Sequence, residues 1–111
     1  MRIIALLFAL GFSTQLHAAK IMITGEKFVS ELKSGEMVKM MHALGYFHAI
    51  EDGLEASGHT CRPNGESTKQ TMDGLTSYIQ SAEDASRTPA TALIVEYLTK
   101  TFPCVAPPTQ K

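Results

Sequence analysis

The chain has 111 residues, of which 44% are hydrophobic and 19% charged, and its formal net charge at pH 7 is −1. This length allows one domain and excludes a multidomain enzyme. Ten basic residues against eleven acidic ones give no basic surface for binding phosphates or anionic lipid. We therefore expect neither a nucleic-acid partner nor a stable membrane association. The hydrophobic fraction is that of a folded domain rather than of a disordered chain.

The first eighteen residues have the order of a secretory signal peptide. Arg2 provides the positive charge, residues 3–12 form an apolar run, and Ala18 and Ala19 are small residues at the cleavage position. The run is too short to span a bilayer, which needs about 20 residues. We expect cleavage after Ala18 or Ala19 and export to the periplasm, which leaves residues 19–104 as the mature domain. The alternative is a buried N-terminal helix.

Cys61 and Cys104 are the two cysteines of the sequence. In an exported chain an even number of cysteines predicts a disulfide, here Cys61–Cys104. A domain of this size has a thin stability margin, and closing such a loop stabilises it by about 4 kcal/mol in the chain-entropy model. The alternatives are a metal site and a catalytic thiol, and a catalytic thiol requires reduced cysteines, which the leader argues against.

Four helices are predicted in the mature chain, because apolar residues recur at steps of three and four. They cover residues 25–33, 36–57, 68–81 and 89–101. The expected N-caps are Thr24, then Ser67 or Thr68, then Thr88, with Pro89 at the first position of the fourth helix. No segment alternates apolar and polar residues over a strand length. The predicted fold class is a compact all-α domain of four helices held by one disulfide.

The second predicted helix is the longest, and its apolar residues are expected to form one buried stripe. This stripe contains Met37, Met40, Met41, Leu44, Phe47, Ile50 and Leu54, broadened by Ala43 and Tyr46. Gly45 and Gly53 each cost roughly 1 kcal/mol of helix stability relative to Ala, and close approach of another helix is the expected reason. The apolar surface exceeds what one face needs, which allows a homodimer through helix packing.

Catalytic and metal-binding patterns are weak in this sequence. His48 and Asp52 are four residues apart, a spacing that presents two metal ligands on one helix, but no further histidine lies in register with them. Neither a nucleophile elbow nor a phosphate-binding glycine loop is present. We therefore expect no catalytic residue, no metal and no cofactor. The remaining acids form a solvated surface or a partner-binding face, and they are Glu51, Asp52, Glu55, Asp73, Glu83 and Asp84.

Two motifs of the mature chain resemble a known family. The segment from Cys61 to Gln70 reads Cys-Arg-Pro-Asn-Gly-Glu-Ser-Thr-Lys-Gln, and the fourth predicted helix closes in Phe-Pro-Cys. Together with Gly-Tyr-Phe at residues 45–47 and Ala-Ile-Glu-Asp-Gly-Leu at residues 49–54, this pattern resembles the Rap/Tai family of periplasmic immunity proteins against type VI secretion amidase effectors. The resemblance covers about residues 36–104. Some members of that family carry a further cysteine pair nearer the N-terminus, which this chain lacks.

The resemblance implies an all-helical, often dimeric binding protein that blocks a peptidoglycan amidase by occupying its cleft. Several motif residues are expected to shape the scaffold, with Gln70 bonding the loop backbone, and they are Pro63, Gly65, Gln70, Phe102 and Pro103. Effector contacts are expected first in the polar connection at residues 81–88, through Glu83, Asp84 and Arg87. The second candidate is the loop at residues 59–66, through Arg62 and Asn64. The alternative for both segments is an ordinary surface connection.

A second function fits a small, helical, single-disulfide exported domain, namely an acid-activated periplasmic chaperone. It predicts that acidification exposes hydrophobic surface and suppresses the aggregation of other proteins. The Cys-x-Pro-x-Gly turn and the Phe-Pro-Cys ending favour the immunity protein. Residues 105–111 are expected to form a flexible, Pro-rich tail outside the domain.

Overall fold

The computed structural model describes residues 22–104 and contains four helices. They are α1 (Gly25–Leu32), α2 (Met37–Ala56), α3 (Thr68–Ser81) and α4 (Ala90–Thr101). Within the described part of the chain the extended backbone is limited to an isolated bridge between Thr24 and Pro89. The predicted all-α domain of four helices with a Cys61–Cys104 disulfide is confirmed. The predicted leader and the predicted tail lie outside the described residues.

The core lies between the helices and receives large apolar side chains from all four. The largest of its fully buried hydrophobic residues are Phe28, Phe47, Leu75, Ile79, Ile94 and Leu98. The short helix α1 contacts the other three helices, whereas α2 and α3 pack on α1 and α4 rather than on each other. An open groove of about 670 Å³ therefore lies between α2 and α3, with Leu44 and Met72 among its lining residues.

The start of α1 is tied to the connection between α3 and α4. The first N–H groups of a helix have no partner within it, so they need acceptors from elsewhere. The N–H groups of Gly25 and Glu26 donate to the carbonyl oxygens of Thr88 and Ala85, each at 2.9 Å. Thr24 caps the same turn through its side-chain oxygen. The α3–α4 connection is thus fixed against α1 by backbone hydrogen bonds.

The first turns of α2 are exposed, and the predicted continuous buried stripe is wrong there. The exposed fractions are 75%, 82%, 36% and 65% for Met37, Val38, Met40 and Met41. The reason is a difference in length, because α2 has 20 residues and α4 has 12. A hydroxyl contact between Tyr46 and Thr91 aligns the middle of α2 with the first turn of α4. The turns of α2 before Tyr46 therefore extend past the end of α4.

Gly45 and Gly53 lie on the outer side of α2, where residues 22–104 give no packing reason for a glycine. A Cβ added at either position meets nothing within 4 Å. The expectation that another helix approaches these glycines is therefore wrong among the described residues. The buried positions of α2 are Ala43, Phe47 and Glu51, which lie on the opposite side of the helix.

The helix α4 begins one residue later than predicted. Pro89 is the N-cap, with φ −57° and ψ 137°, and the helical backbone starts at Ala90. The extended ψ lets the chain at Pro89 pair with Thr24 before it turns into the helix. The N–H of Ala90 donates to the carbonyl oxygen of Ile23 at 2.8 Å, which holds the start of α4 beside the start of α1.

Candidate functional site

The structure places the predicted contact residues in two groups at opposite ends of α3. One group lies in the connection after α3 and comprises Glu83, Asp84 and Arg87, and the other lies in the loop before α3 and comprises Arg62 and Asn64. A helix of 14 residues spans about 21 Å. The fold therefore separates the two groups, and each end of the domain is a candidate site by itself. We refer to them as the 82–88 connection and the 59–66 loop.

The 82–88 connection is a turn with a fixed backbone and exposed charged side chains. The N–H groups of Arg87 and Thr88 donate to the carbonyl oxygen of Asp84, at 2.9 and 2.8 Å. The carbonyl oxygens of Ala85 and Thr88 accept hydrogen bonds from the start of α1. Glu83, Asp84 and Arg87 are exposed. The backbone thus presents these three side chains in a defined arrangement.

Beside the 82–88 connection lies a cavity of about 380 Å³ with an acidic rim and an apolar wall. Glu83, Asp84 and Glu96 contribute carboxylates, and Leu93 contributes apolar surface. Nη2 of Arg87 donates to Oδ1 of Asp84 at 2.7 Å, and the side chains of both residues remain mostly exposed. Three carboxylates lie beside two basic side chains, Arg87 and Lys100, so a net negative charge remains at this end of the domain. This charge is complementary to a basic partner surface.

Glu96 forms one wall of this cavity and is held by two donors. The hydroxyl of Tyr78 on α3 and the ammonium of Lys100 both donate to Oε1 of Glu96, the latter at 2.9 Å. These hydrogen bonds, that of Tyr78 foremost, hold the pKa of Glu96 below its ordinary value of 4.5. The sequence analysis did not identify these residues. The four-residue spacing of Glu96 and Lys100 indicates their pairing, but the approach of Tyr78 depends on the packing of α3 against α4.

Arg62 is turned inward, unlike the exposed contact that the sequence suggested. Its Nη1 lies 2.9 Å from Oε2 of Glu51, whose side chain is 5% exposed, and Nδ1 of His48 lies 3.5 Å from the other carboxylate oxygen. The guanidinium and the carboxylate are close but lack the geometry of a hydrogen bond. Their interaction is therefore the electrostatic attraction of two opposite charges. The prediction of Glu51 as part of an exposed acidic surface is wrong, because its carboxylate faces Arg62 inside the domain.

The tip of the 59–66 loop is exposed, whereas its base is fixed. Pro63, Asn64 and Gly65 are all exposed. At the base, the N–H of Cys61 donates to the carbonyl oxygen of Phe102 at 2.8 Å, next to the disulfide. The loop therefore exposes the polar side chain of Asn64 at its tip, between fixed ends.

The entry to α3 is a capping box formed by two motif residues. The N–H of Ser67 donates to Oε1 of Gln70 at 3.0 Å, and the N–H of Gln70 donates to Oγ of Ser67 at 3.1 Å. At the other end of the motif, Phe102 is buried in the core and Pro103 is exposed. Gln70 and Phe102 thus both serve the scaffold, Gln70 from an exposed position and Phe102 from the core.

Residues 22–104 offer no arrangement that indicates a metal centre. Among them, no group of three or more His, Cys, Asp and Glu side chains lies close enough to hold an ion. In the same part of the chain, none of the helices combines the length and the apolar character that crossing a membrane requires.

The described residues thus form a small all-helical domain with one disulfide and a connecting loop at each end of α3. The family model of the Rap1a immunity proteins matches residues 15–104. The chain therefore belongs to the Rap1a immunity protein family, in agreement with the Rap/Tai resemblance of its motifs. No curated protein matches the chain, and no solved structure does. Family membership implies a protein effector as the binding partner.

Proposed function

We propose that this protein is a periplasmic immunity protein that binds a type VI secreted peptidoglycan amidase and inhibits it by occupying its cleft. The observation that carries this proposal is the family match over residues 15–104, which indicates immunity against a secreted effector. The amidase is the effector class to which the motif resemblance points. The Cys61–Cys104 disulfide and the predicted leader support action in an oxidising compartment. The proposed action is binding, without catalysis by this chain.

We propose the 82–88 connection as the effector-contacting segment. Its backbone is already ordered in the free domain, so binding costs little conformational entropy. It presents Glu83, Asp84 and Arg87 together beside a cavity, whereas Arg62 of the 59–66 loop is engaged by Glu51. The acidic rim favours a basic surface around the cleft of the amidase.

The test is inhibition of an amidase effector encoded by a gene next to that of this chain, measured as peptidoglycan hydrolysis with increasing immunity protein. A neighbouring gene that encodes no effector contradicts the proposed target. The double variant Glu83→Lys/Asp84→Lys reverses the charge of the rim and should lose inhibition. The variant Asn64→Lys also adds a positive charge at an exposed loop position, but at the other end of α3. This variant should retain inhibition. Circular dichroism of both variants checks that the fold is intact.

Three outcomes separate the parts of this proposal. If the wild-type protein neither binds nor inhibits the neighbouring amidase, the proposed target is wrong. If inhibition is lost with Asn64→Lys and kept with Glu83→Lys/Asp84→Lys, the contact lies in the 59–66 loop. Strong suppression of aggregation of other proteins at acidic pH, without amidase binding, supports the chaperone alternative.

We also propose that the protein forms a homodimer. The first turns of α2 expose four large hydrophobic residues, namely Met37, Val38, Met40 and Met41. Exposed apolar surface of this kind is typical of protein–protein interaction sites. Sedimentation velocity of the purified protein tests the proposal, and a single monomeric species at every concentration contradicts it.

A further inference from the structure

The Cys61–Cys104 disulfide lies at the surface of the domain. Both cysteines are exposed, and the bond joins the base of the 59–66 loop to the residues that follow α4. Exchange of a disulfide requires a thiolate to reach one of its sulfur atoms, so exposed disulfides exchange with external thiols more readily than buried ones. The exposure of this bond therefore indicates chemistry in addition to its role as a covalent link.

Noncovalent contacts hold the two cysteine segments beside each other without using the sulfur atoms. The N–H of Cys61 donates to the carbonyl oxygen of Phe102 at 2.8 Å, and the side chain of Phe102 is buried in the core. Thr60, directly before Cys61, is also buried. Arg62, directly after it, faces the carboxylate of Glu51. The two segments are therefore held in place by contacts that remain when the disulfide is broken.

We infer that the Cys61–Cys104 bond is a thiol–disulfide exchange site of the folded domain. Thiols of the class of glutathione reduce the bond while the helices stay folded, and the corresponding disulfides restore it. The bond is then a reversible connection between the 59–66 loop and the residues after α4. This inference goes beyond the proposed binding of an effector and does not rest on it.

Reduction proceeds in two exchange steps. In the first step a glutathione thiolate attacks one sulfur atom of the bond, forms a mixed disulfide with that cysteine and releases the other cysteine as a thiolate. In the second step another glutathione thiolate attacks the glutathione sulfur of the mixed disulfide and releases oxidised glutathione and the remaining cysteine thiolate. The protein gains the two electrons that two glutathione molecules lose, and the two thiol protons pass through solvent to the cysteines.

The contacts around the bond also favour its return. Oxidised glutathione forms a mixed disulfide with one cysteine, and the other cysteine then attacks the sulfur of that cysteine and releases glutathione. Because the hydrogen bond from Cys61 to Phe102 keeps the two segments adjacent, this attack takes place between groups already held together. Such intramolecular reactions have a high effective concentration. The mixed disulfide is therefore a short-lived intermediate in the wild-type protein.

The central test is the rate at which reduced glutathione reduces the folded protein at several urea concentrations below the unfolding transition. Alkylation with iodoacetamide stops the reaction, and mass spectrometry counts the free thiols. We expect a rate that is nearly independent of urea and within about a hundredfold of the rate for the unfolded chain. A bond that is reached only through global unfolding gives a rate that rises about fivefold or more per molar urea. That dependence overturns the inference.

Single-cysteine variants test each sulfur atom separately. The thiol of Cys61 remains in Cys104→Ser, and the thiol of Cys104 remains in Cys61→Ser. We expect both folded variants to form a stable mixed disulfide with oxidised glutathione. The matched control adds Ala43→Cys to the double variant Cys61→Ser/Cys104→Ser, because Ala43 is fully buried and a thiol there should stay free. Circular dichroism checks that each variant is folded.

These measurements are separate from those on the effector. A reduction rate independent of urea, together with mixed disulfides at Cys61 and Cys104, supports the exchange site whether or not the protein inhibits an amidase. A native rate more than about a hundredfold below that of the unfolded chain overturns the inference, because it shows that the fold protects the bond. Single-cysteine variants that react no faster than the Ala43→Cys control also overturn it.

Discussion

Nη1 of Arg62 lies 2.9 Å from Oε2 of Glu51, so the 59–66 loop is joined to the buried side of α2. Arg62 follows Cys61 directly, and the disulfide joins the same point of the loop to the residues after α4. An ion pair and a covalent bond thus hold the base of one loop against two different helices. The ion pair and the disulfide together fix the position of the exposed loop tip at Asn64.

We predict that Arg62→Ala destabilises the domain, because it removes the guanidinium that faces the buried carboxylate of Glu51 and leaves the ring of His48 as its basic neighbour. The cost should be about 2–3 kcal/mol, below the cost for a fully buried pair because Arg62 retains some solvent exposure. Urea unfolding followed by circular dichroism measures it. The double variant Glu51→Met/Arg62→Met removes both charges and should recover most of the loss. A stability of Arg62→Ala equal to that of the wild type contradicts the electrostatic role of the pair.

Removal of the disulfide should lower stability without changing the helical fold. The bond joins residues 43 apart in sequence, and its loss in Cys61→Ser/Cys104→Ser gives the unfolded chain more conformational freedom. We expect the free energy of unfolding to fall by about 2–4 kcal/mol. Denaturant unfolding with and without a dithiol reductant provides the measurement. The reductant should destabilise the wild type and leave the double variant unchanged.

Two glycines in helices should respond oppositely to Ala. A Cβ at Gly25 would lie 2.4 Å from Cδ1 of Leu93 in the core, so Gly25→Ala should destabilise the domain by about 1–3 kcal/mol. Gly53 has open space, so Gly53→Ala should stabilise it by about 0.5–1 kcal/mol through helix propensity. Thermal and denaturant unfolding of the two variants compares them directly. A stabilising Gly25→Ala contradicts the packing described for α1.

Acidification should weaken the link between α3 and α4. The hydrogen bonds from Tyr78 and Lys100 hold the pKa of Glu96 below its ordinary value of 4.5, so they favour the folded state when Glu96 is charged. This contribution is complete above pH 4.5 and is lost as the pH falls through the lowered pKa. Stability measured from pH 7 to pH 3 should therefore fall less steeply for Glu96→Gln than for the wild type. Parallel pH profiles for both proteins contradict this role.

At alkaline pH the same hydrogen bond should make stability fall as the pH rises. The hydrogen bond to Glu96, together with burial and the charge of Glu96, raises the pKa of Tyr78 above 10.0. The contribution to stability is complete below pH 10 and is lost as the pH rises through the raised pKa. A spectrophotometric titration of tyrosine ionisation, with Tyr78→Phe to identify the transition of Tyr78, checks this, since Glu96→Gln should move that transition to lower pH. An unchanged titration contradicts the assignment.

The candidate contact residues differ in how much of their environment can be predicted from the sequence. The exposure of Glu83, Asp84 and Arg87 follows from a short polar connection between two amphipathic helices, which the sequence indicates by itself. The inward orientation of the Arg62 side chain does not follow from the sequence, because its partner Glu51 lies on a different element. The separation of the two loops by the length of α3 follows from the helix bounds, and it makes them the alternative candidates that the sequence indicated.

The elements of this protein can be predicted from its sequence, since helix periods, capping residues and paired cysteines are local or compositional signals. The family can also be recognised from the turn at Cys61 and the Phe-Pro-Cys ending. Which side of α2 is buried, by contrast, depends on contacts between elements. That outcome depends on the different lengths of α2 and α4, and on Arg62 approaching Glu51 from another part of the chain. Burial is a property of what packs against a helix, so the apolar pattern of α2 alone could not show that its first turns extend past the core.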